Sequence, residues 1–405
     1  MQKRFVPDEG GVFPEWEEVT LGDILEINPK TEEKIADEFY YADLASINNG
    51  VFTHGAAINH NEAPGRAQRV VHIDDVLFQS VNAENLGHYH YTKDKELDKQ
   101  FVASTGFFLL RIKNGCNAFL YQLLFTKAFN QEVHKYSAGS IYPAINITEF
   151  KKIKVRIPKS IEEQRKIAAA LSAYDEMIAV KTAKLETWQE CKKRMVKEIF
   201  GRTKRFKDDD GKEFPEWEEK TLRNVSTVKR GRGYAKKDLT DKGTPIILYG
   251  RLYTKYETKI ENVDTFADVQ KNSLVSIGGE VIIPTSGENS EDIARAAVVE
   301  QQGVLIGGDL CVIMPNKDIF DSTFLAYAIT YSKSHKDLVK KANGEIIAHL
   351  RVEDIKNLSV SLPCTEEQQK IGSFLAEIDK EIQIQKEFIK TYAEGKKRMM
   401  RELME

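Results

Sequence analysis

Two stretches of the chain, each about forty residues without a proline, carry apolar side chains spaced alternately by four and three. The first runs Ile167, Leu171, Tyr174, Ile178, Leu185, Trp188, Met195 and Ile199, with Lys181 and Lys192 in two slots of the same series. The second runs Ile371, Leu375, Ile378, Ile382, Ile389, Tyr392, Met399 and Leu403, with Gln385 and Lys396 in the equivalent slots. A period near 3.5 predicts a coiled-coil seam, and the polar interruptions recur at the same places. Pro158 followed by Ser160-Ile161-Glu162-Glu163, and Pro363 followed by Thr365-Glu366-Glu367-Gln368, read as capping boxes that open each helix. Gly201 closes the first. At about 1.5 Å per residue each helix is roughly 60 Å long. The simplest partner for each is the other, running antiparallel about a pseudo-two-fold axis.

Outside these helices the pattern is mixed. Strands are expected at Val70–Phe78, Gly106–Ile112, Ile246–Tyr249, Glu280–Ile283 and Leu310–Met314, and helices at Ala118–Phe129 and Asp321–Leu338. The whole arrangement occurs twice. FPEWEE stands at Phe13–Glu18 and again at Phe214–Glu219, and IEEQRKI at 161–167 returns as TEEQQKI at 365–371. Between these blocks the two copies diverge. The chain is therefore read as α+β with an internal repeat: a globular part over 1–157, a long helix over 158–201, a linker and second globular part over 202–362, and a second helix over 363–405. A period of about two hundred residues excludes a solenoid.

Composition narrows the class. With 41% hydrophobic and 30% charged residues the chain reads as a soluble protein, and its net charge of −3 gives no global attraction to nucleic acid. Cys116, Cys191, Cys311 and Cys364 are scattered, as for reduced cytoplasmic thiols, and no apolar run approaches a membrane span. Catalytic motifs are missing. There is no phosphate-binding GxxxxGK[ST] loop, and Gly231-Arg232-Gly233 lacks a third spaced glycine. The Glu-x-Lys spacings at Glu32–Lys34 and Glu218–Lys220 fit solvated faces. His54, His60, His72, His88 and His90 lack metal-ligand spacing and are expected on the surface or in loops.

Two divergent modules alternating with two matched helices resemble the specificity subunit of type I restriction–modification enzymes. The resemblance covers essentially the whole chain. It is carried by both FPEWEE copies, the helix starts EEQRKI and EEQQKI, the strand ends at Pro158 and Pro363, and GGEVIIPTSGENSEDIARA at 278–296. It implies a non-catalytic, DNA-binding protein with two target recognition domains, each reading one half of a gapped, bipartite target. The paired helices would set half-site spacing and dock two modification (M) subunits. Those partners would supply S-adenosylmethionine, and restriction (R) subunits would bring ATP and Mg, leaving this chain without cofactor or metal. The competing reading is a coiled-coil structural adaptor that pairs two protein-binding domains without reading DNA.

Phosphate contacts require Lys or Arg, and base contacts favour polar side chains on loops. In the first domain these criteria select Arg66, Arg69, Lys93 and Lys95, with Gln79 and Asn82 in the loop after the strand ending at Phe78. In the second they select Arg230, Arg232, Lys236 and Lys237 within RGRGYAKK, then Arg251, Tyr253 and Lys255, with Ser286 and Asn289 in the equivalent loop. Four cations within eight residues make RGRGYAKK the densest basic run considered. Lys192-Lys193-Arg194 and Lys396-Lys397-Arg398 recur on the helices and suggest a repeated contact.

Overall fold

The structure, a computed structural model, describes residues 4–48, 50–53, 55–137, 143–287, 293–342 and 348–405. It divides into two compact units, Met1–Val180 with Phe388–Glu405, and Lys181–Glu387. The long helices, Ile161–Phe200 and Thr365–Met404, are each shared between them. Each unit thus contains one globular part, the start of the helix that follows it and the end of the other helix.

In the first unit, strand Phe107–Ile112 lies between Leu25–Ile27 and Val76–Gln79, with Tyr89–His90 beyond, all antiparallel. A second sheet orders Ile58–Asn59, Glu38–Ala42, Gln100–Ser104 and Ala67–Val71, its central pair parallel. In the second unit, Leu310–Pro315 lies between Ser226–Arg230 and Glu280–Pro284, extended by Ala297–Val299 and Lys259–Ile260. The FPEWEE segments lead into matching edge ribbons, Glu17–Thr20 against Lys154–Ile157 and Glu218–Thr221 against Ser359–Leu362.

Within each unit the helices run antiparallel. Ile167, Ala168 and Leu171 share a core with Met400, Leu403 and Met404, while Tyr174 meets Tyr392 edge-on, 6.4 Å between ring centroids. In the second unit Met195 and Ile199 share a core with Ile371, Leu375, Ile378 and Ile382. Leu185 and Trp188 pack against that core half-buried, and Ile178 and Ile389 are also half-buried. The apolar seam is thus closed toward the globular parts and more open mid-helix.

Several elements break where a run of apolar residues suggested continuity. The expected strand Val70–Phe78 divides into Ala67–Val71 and Val76–Gln79 because Asp75 closes a turn. Its carboxylate accepts the His72 N–H at 2.7 Å, and Asp74 adopts a left-handed φ of 75°. The expected helix Ala118–Phe129 becomes Asn117–Leu123 and Lys127–Ser137, with Thr126 Oγ1 accepting the Phe129 N–H. Asp321–Leu338 likewise becomes Ser322–Tyr331 and Lys333–Lys341, divided at the cap Ser332. Short polar side chains offer the backbone an alternative partner at both breaks. The capping boxes also differ from expectation. Ser160 Oγ accepts the Glu163 N–H at 3.4 Å, but the Glu163 carboxylate turns to Arg4.

Candidate nucleic-acid interface

A clamp built twice from the same residue types fixes each globular part to its helix. Arg4 donates to the Pro14 carbonyl and to Glu163, and Arg205 donates to the Pro215 carbonyl and to Glu367. Both glutamates are 0% exposed, so each carboxylate is compensated chiefly by one guanidinium. Lys166 holds Asp8 and lies over the Phe13 ring, and Lys370 holds Asp209 and lies over Phe214. Trp16 meets Phe119 edge-on, and Trp217 meets Phe324 in the same way. FPEWEE is therefore a structural seal: its aromatic residues are buried, while Glu15 and Glu216 face solvent beside the clamping arginines.

A second repeated device uses the polar slots of the apolar seam. In the first unit Lys396 binds Asp175 at 2.7 Å, and Gln122 donates to the same carboxylate at 2.9 Å. In the second, Lys192 binds Asp379 at 2.5 Å, and Tyr327 donates to that carboxylate at 2.7 Å. Burial alone would push the Lys192 ammonium down, but Tyr331 and Asp379 outweigh it and hold its pKa above the ordinary lysine value. Each triad ties one helix of the globular part to both long helices. The exposed neighbours Lys193 and Arg194, and Lys397 and Arg398, point into solvent.

In the first unit the candidate residues divide into supports and exposed groups. Gln79 is 3% exposed, and its amide donates to the Val81 and Asn82 carbonyls, shaping the loop from within. Asn82 is half-buried at a left-handed φ of 51°. Its N–H donates to Pro143, and Ile145 donates to Ser80, so the loop is tied to the chain beyond residue 142. Arg69 is half-buried, and loss of water pushes its guanidinium pKa down. Arg66 is exposed, Lys93 pairs with Glu96, and Lys95 lies over the Tyr89 ring at 4.9 Å. The histidines correct the surface expectation. His88 is stacked on Phe78 at 4.7 Å, and burial pushes its pKa down to about 3. His90 is also buried, against Asp74, whereas His60 is exposed and His72 pairs with Glu33. His54 lies outside the described residues. Among the described residues no group of three His, Cys, Asp or Glu side chains is placed to hold a metal.

In the second unit Arg230, Gly231, Arg232, Gly233 and Tyr234 form one wall of an open cleft of about 460 Å³, and Gln270–Ser273 form the other. Arg232, Lys236 and Lys237 are exposed, while Arg230 pairs with Asp309 at 3.2 Å. Arg251 and Lys255 both bind Asp264, which neutralises much of that cluster, and Tyr253 stands 6.5 Å from Tyr249. Ser286 is buried and hydrogen-bonded to His349 Nδ1 at 3.0 Å. Asn289 lies outside the described residues. Sequence reasoning missed the opposite wall of the cleft. Its signal was the polar turn QKNS at 270–273, whose Asn272 takes a left-handed φ of 70°.

No helix is long and apolar enough to cross a membrane among the described residues. The type I restriction modification DNA specificity domain matches residues 14–187 and again 215–391. The chain is similar to the putative type I restriction enzyme MjaX specificity subunit of Methanocaldococcus jannaschii, at 26% identity over 100% of this chain and 96% of that protein. The MjaVIII specificity subunit of the same organism is 24% identical, over 100% and 95%. The crystal structure of a type I restriction-modification S subunit from M. genitalium shares the fold, with a TM-score of 0.66 and 13% identity over 96% of each chain. The two domain matches, falling on the two structural repeats, establish that this chain belongs to the type I restriction modification DNA specificity family.

Proposed function

We propose that this chain is the sequence-reading, non-catalytic subunit of a type I restriction–modification complex. In this reading the parts over 1–157 and 202–362 are target recognition domains, each reading half of a gapped DNA site. The helices over 158–201 and 363–405 form an antiparallel coiled coil that sets the spacing and docks two methyltransferase subunits. S-adenosylmethionine, ATP and Mg belong to those partners and to restriction subunits. The observation that carries this reading is the paired construction: matching arginine–glutamate clamps and equivalent lysine–aspartate contacts hold two globular parts whose exposed loops differ. Constant attachment with variable surfaces suits two copies of one partner acting on an asymmetric target.

The test is a titration of the assembled complex against duplex DNA at several salt concentrations. A DNA reader loses affinity steeply, with a log–log slope of about −0.9 per phosphate neutralised. The isolated chain should transfer no methyl group from S-adenosylmethionine. A flat salt response would favour the adaptor, and methyl transfer by the chain alone would refute a non-catalytic role.

A further inference from the structure

The geometry points to an unequal hold on DNA: the second recognition domain grips the phosphate backbone in the Arg230–Ser273 cleft, and the first has no counterpart there. This rests on the DNA-reading function proposed above. The cleft is preformed by backbone. The Gly231 N–H donates to Leu310 and the Arg232 N–H to Ile306, and a Cβ at Gly231 would fall 2.0 Å from the Gly307 carbonyl oxygen. Tyr234 joins the walls, its hydroxyl donating to the Asp268 carbonyl at 3.1 Å, accepting the Gln270 N–H at 2.9 Å and bonding Ser273 Oγ. Such a cleft needs little ordering when a ligand arrives.

Charge then selects the ligand. Arg232 and Lys271 are exposed on opposite walls, and neither has an acidic partner among the described residues. Lys236 and Lys237 follow on the next turn, equally exposed. By contrast, Arg230, Arg251 and Lys255 are held by Asp309 or Asp264. Unpaired cations flanking an open polar cleft suit a phosphodiester, whose negative charge is the same in every sequence. The corresponding segment of the first domain, after strand Leu25–Ile27, reads NPKTEEKIA at 28–36. There the exposed Lys30 and Lys34 are offset by Glu32 and Glu33, so the segment carries no net charge, and Glu33 engages His72 and Gln100.

The test uses the full-length chain assembled with its methyltransferase partner. Two duplexes are titrated across a range of salt concentrations: one carrying the site mapped from methylated host DNA, and one shuffled. The double variant R232Q/K271Q should weaken both duplexes by the same factor, about ten-fold or more, and make the salt slope shallower by about two. R232K/K271R should keep the slope. An unchanged slope in the glutamine variant overturns the proposal. So does a loss confined to the specific duplex, which would mean base reading, or an equal loss in the charge-keeping variant, which would mean structural damage. Failure of the wild-type complex to show any salt slope would instead remove the DNA-reading function itself.

Discussion

The segment that follows the first central-sheet strand occupies the same place in both domains, yet it carries no net charge in one and is basic in the other. In the first domain Glu32 and Glu33 balance Lys30 and Lys34, and Glu33 is tied to His72 and Gln100. In the second it contains Arg230, Arg232, Lys236 and Lys237 around two glycines. Around these unlike segments the clamps and triads are nearly superposable in chemistry. The attachment devices and the divergent segments therefore lie on different residues of one duplicated plan. Even the shared devices differ in burial: Asp379 is 8% exposed at its side chain, whereas Asp175 is 38% exposed.

That difference in burial gives the largest predicted effect. Asp379→Ala would leave Lys192 buried without its counter-charge and should cost about 4 kcal/mol. Asp175→Ala breaks the equivalent contact nearer water and should cost about 1 kcal/mol. Urea unfolding resolved by amide hydrogen exchange would measure each; equal losses would show that the triads are energetically alike. The clamps should behave oppositely to the triads. Arg4→Ala and Arg205→Ala each strand a fully buried glutamate and should cost about 3 kcal/mol, below the upper range because the arginines keep some water. A clearly unequal pair would mean that the two clamps are not equivalent supports.

Acid should then separate the domains. The His88 pKa is held near 3 by burial, and burial also pushes that of His90 down. An unfolded histidine titrates near 6.5, so below that pH the unfolded first unit takes up protons that the folded one refuses. Its stability is complete above about pH 6.5 and declines toward pH 3, by about 2 kcal/mol at pH 5 from His88 alone. The described histidines of the second unit, His335 and His349, are not buried to this degree. Hydrogen exchange at pH 7 and pH 5 should therefore show greater loosening in the first unit, and His88→Gln should flatten that response. Equal loosening in both units would contradict it.

Much of the architecture was legible because it is written locally. A 3.5-residue period and repeated caps reveal the long helices, and FPEWEE reveals the duplication. The polar slots were visible at Lys192 and Lys396, but their partners were not. Asp379 and Asp175 each follow a seam residue directly, and only the folded chain brings them across to the lysines. The same limit governs the surface. Asp264 lies nine residues beyond Lys255 with no periodic signal, yet it neutralises both Lys255 and Arg251. Gln79 has the composition of a base-reading side chain but spends its amide on its own loop. Composition identifies groups able to bind DNA; tertiary pairing decides which are left available.

The central claim is that two unlike readers are carried on one shared frame. It is tested most directly by replacing residues 226–360 with the corresponding segment of another family member, co-expressing the methyltransferase partner, and mapping methylated adenines across the host genome. The account predicts a gapped site in which one half changes while the other half keeps its sequence. A change in both halves, or methylation without a gapped site, would contradict it.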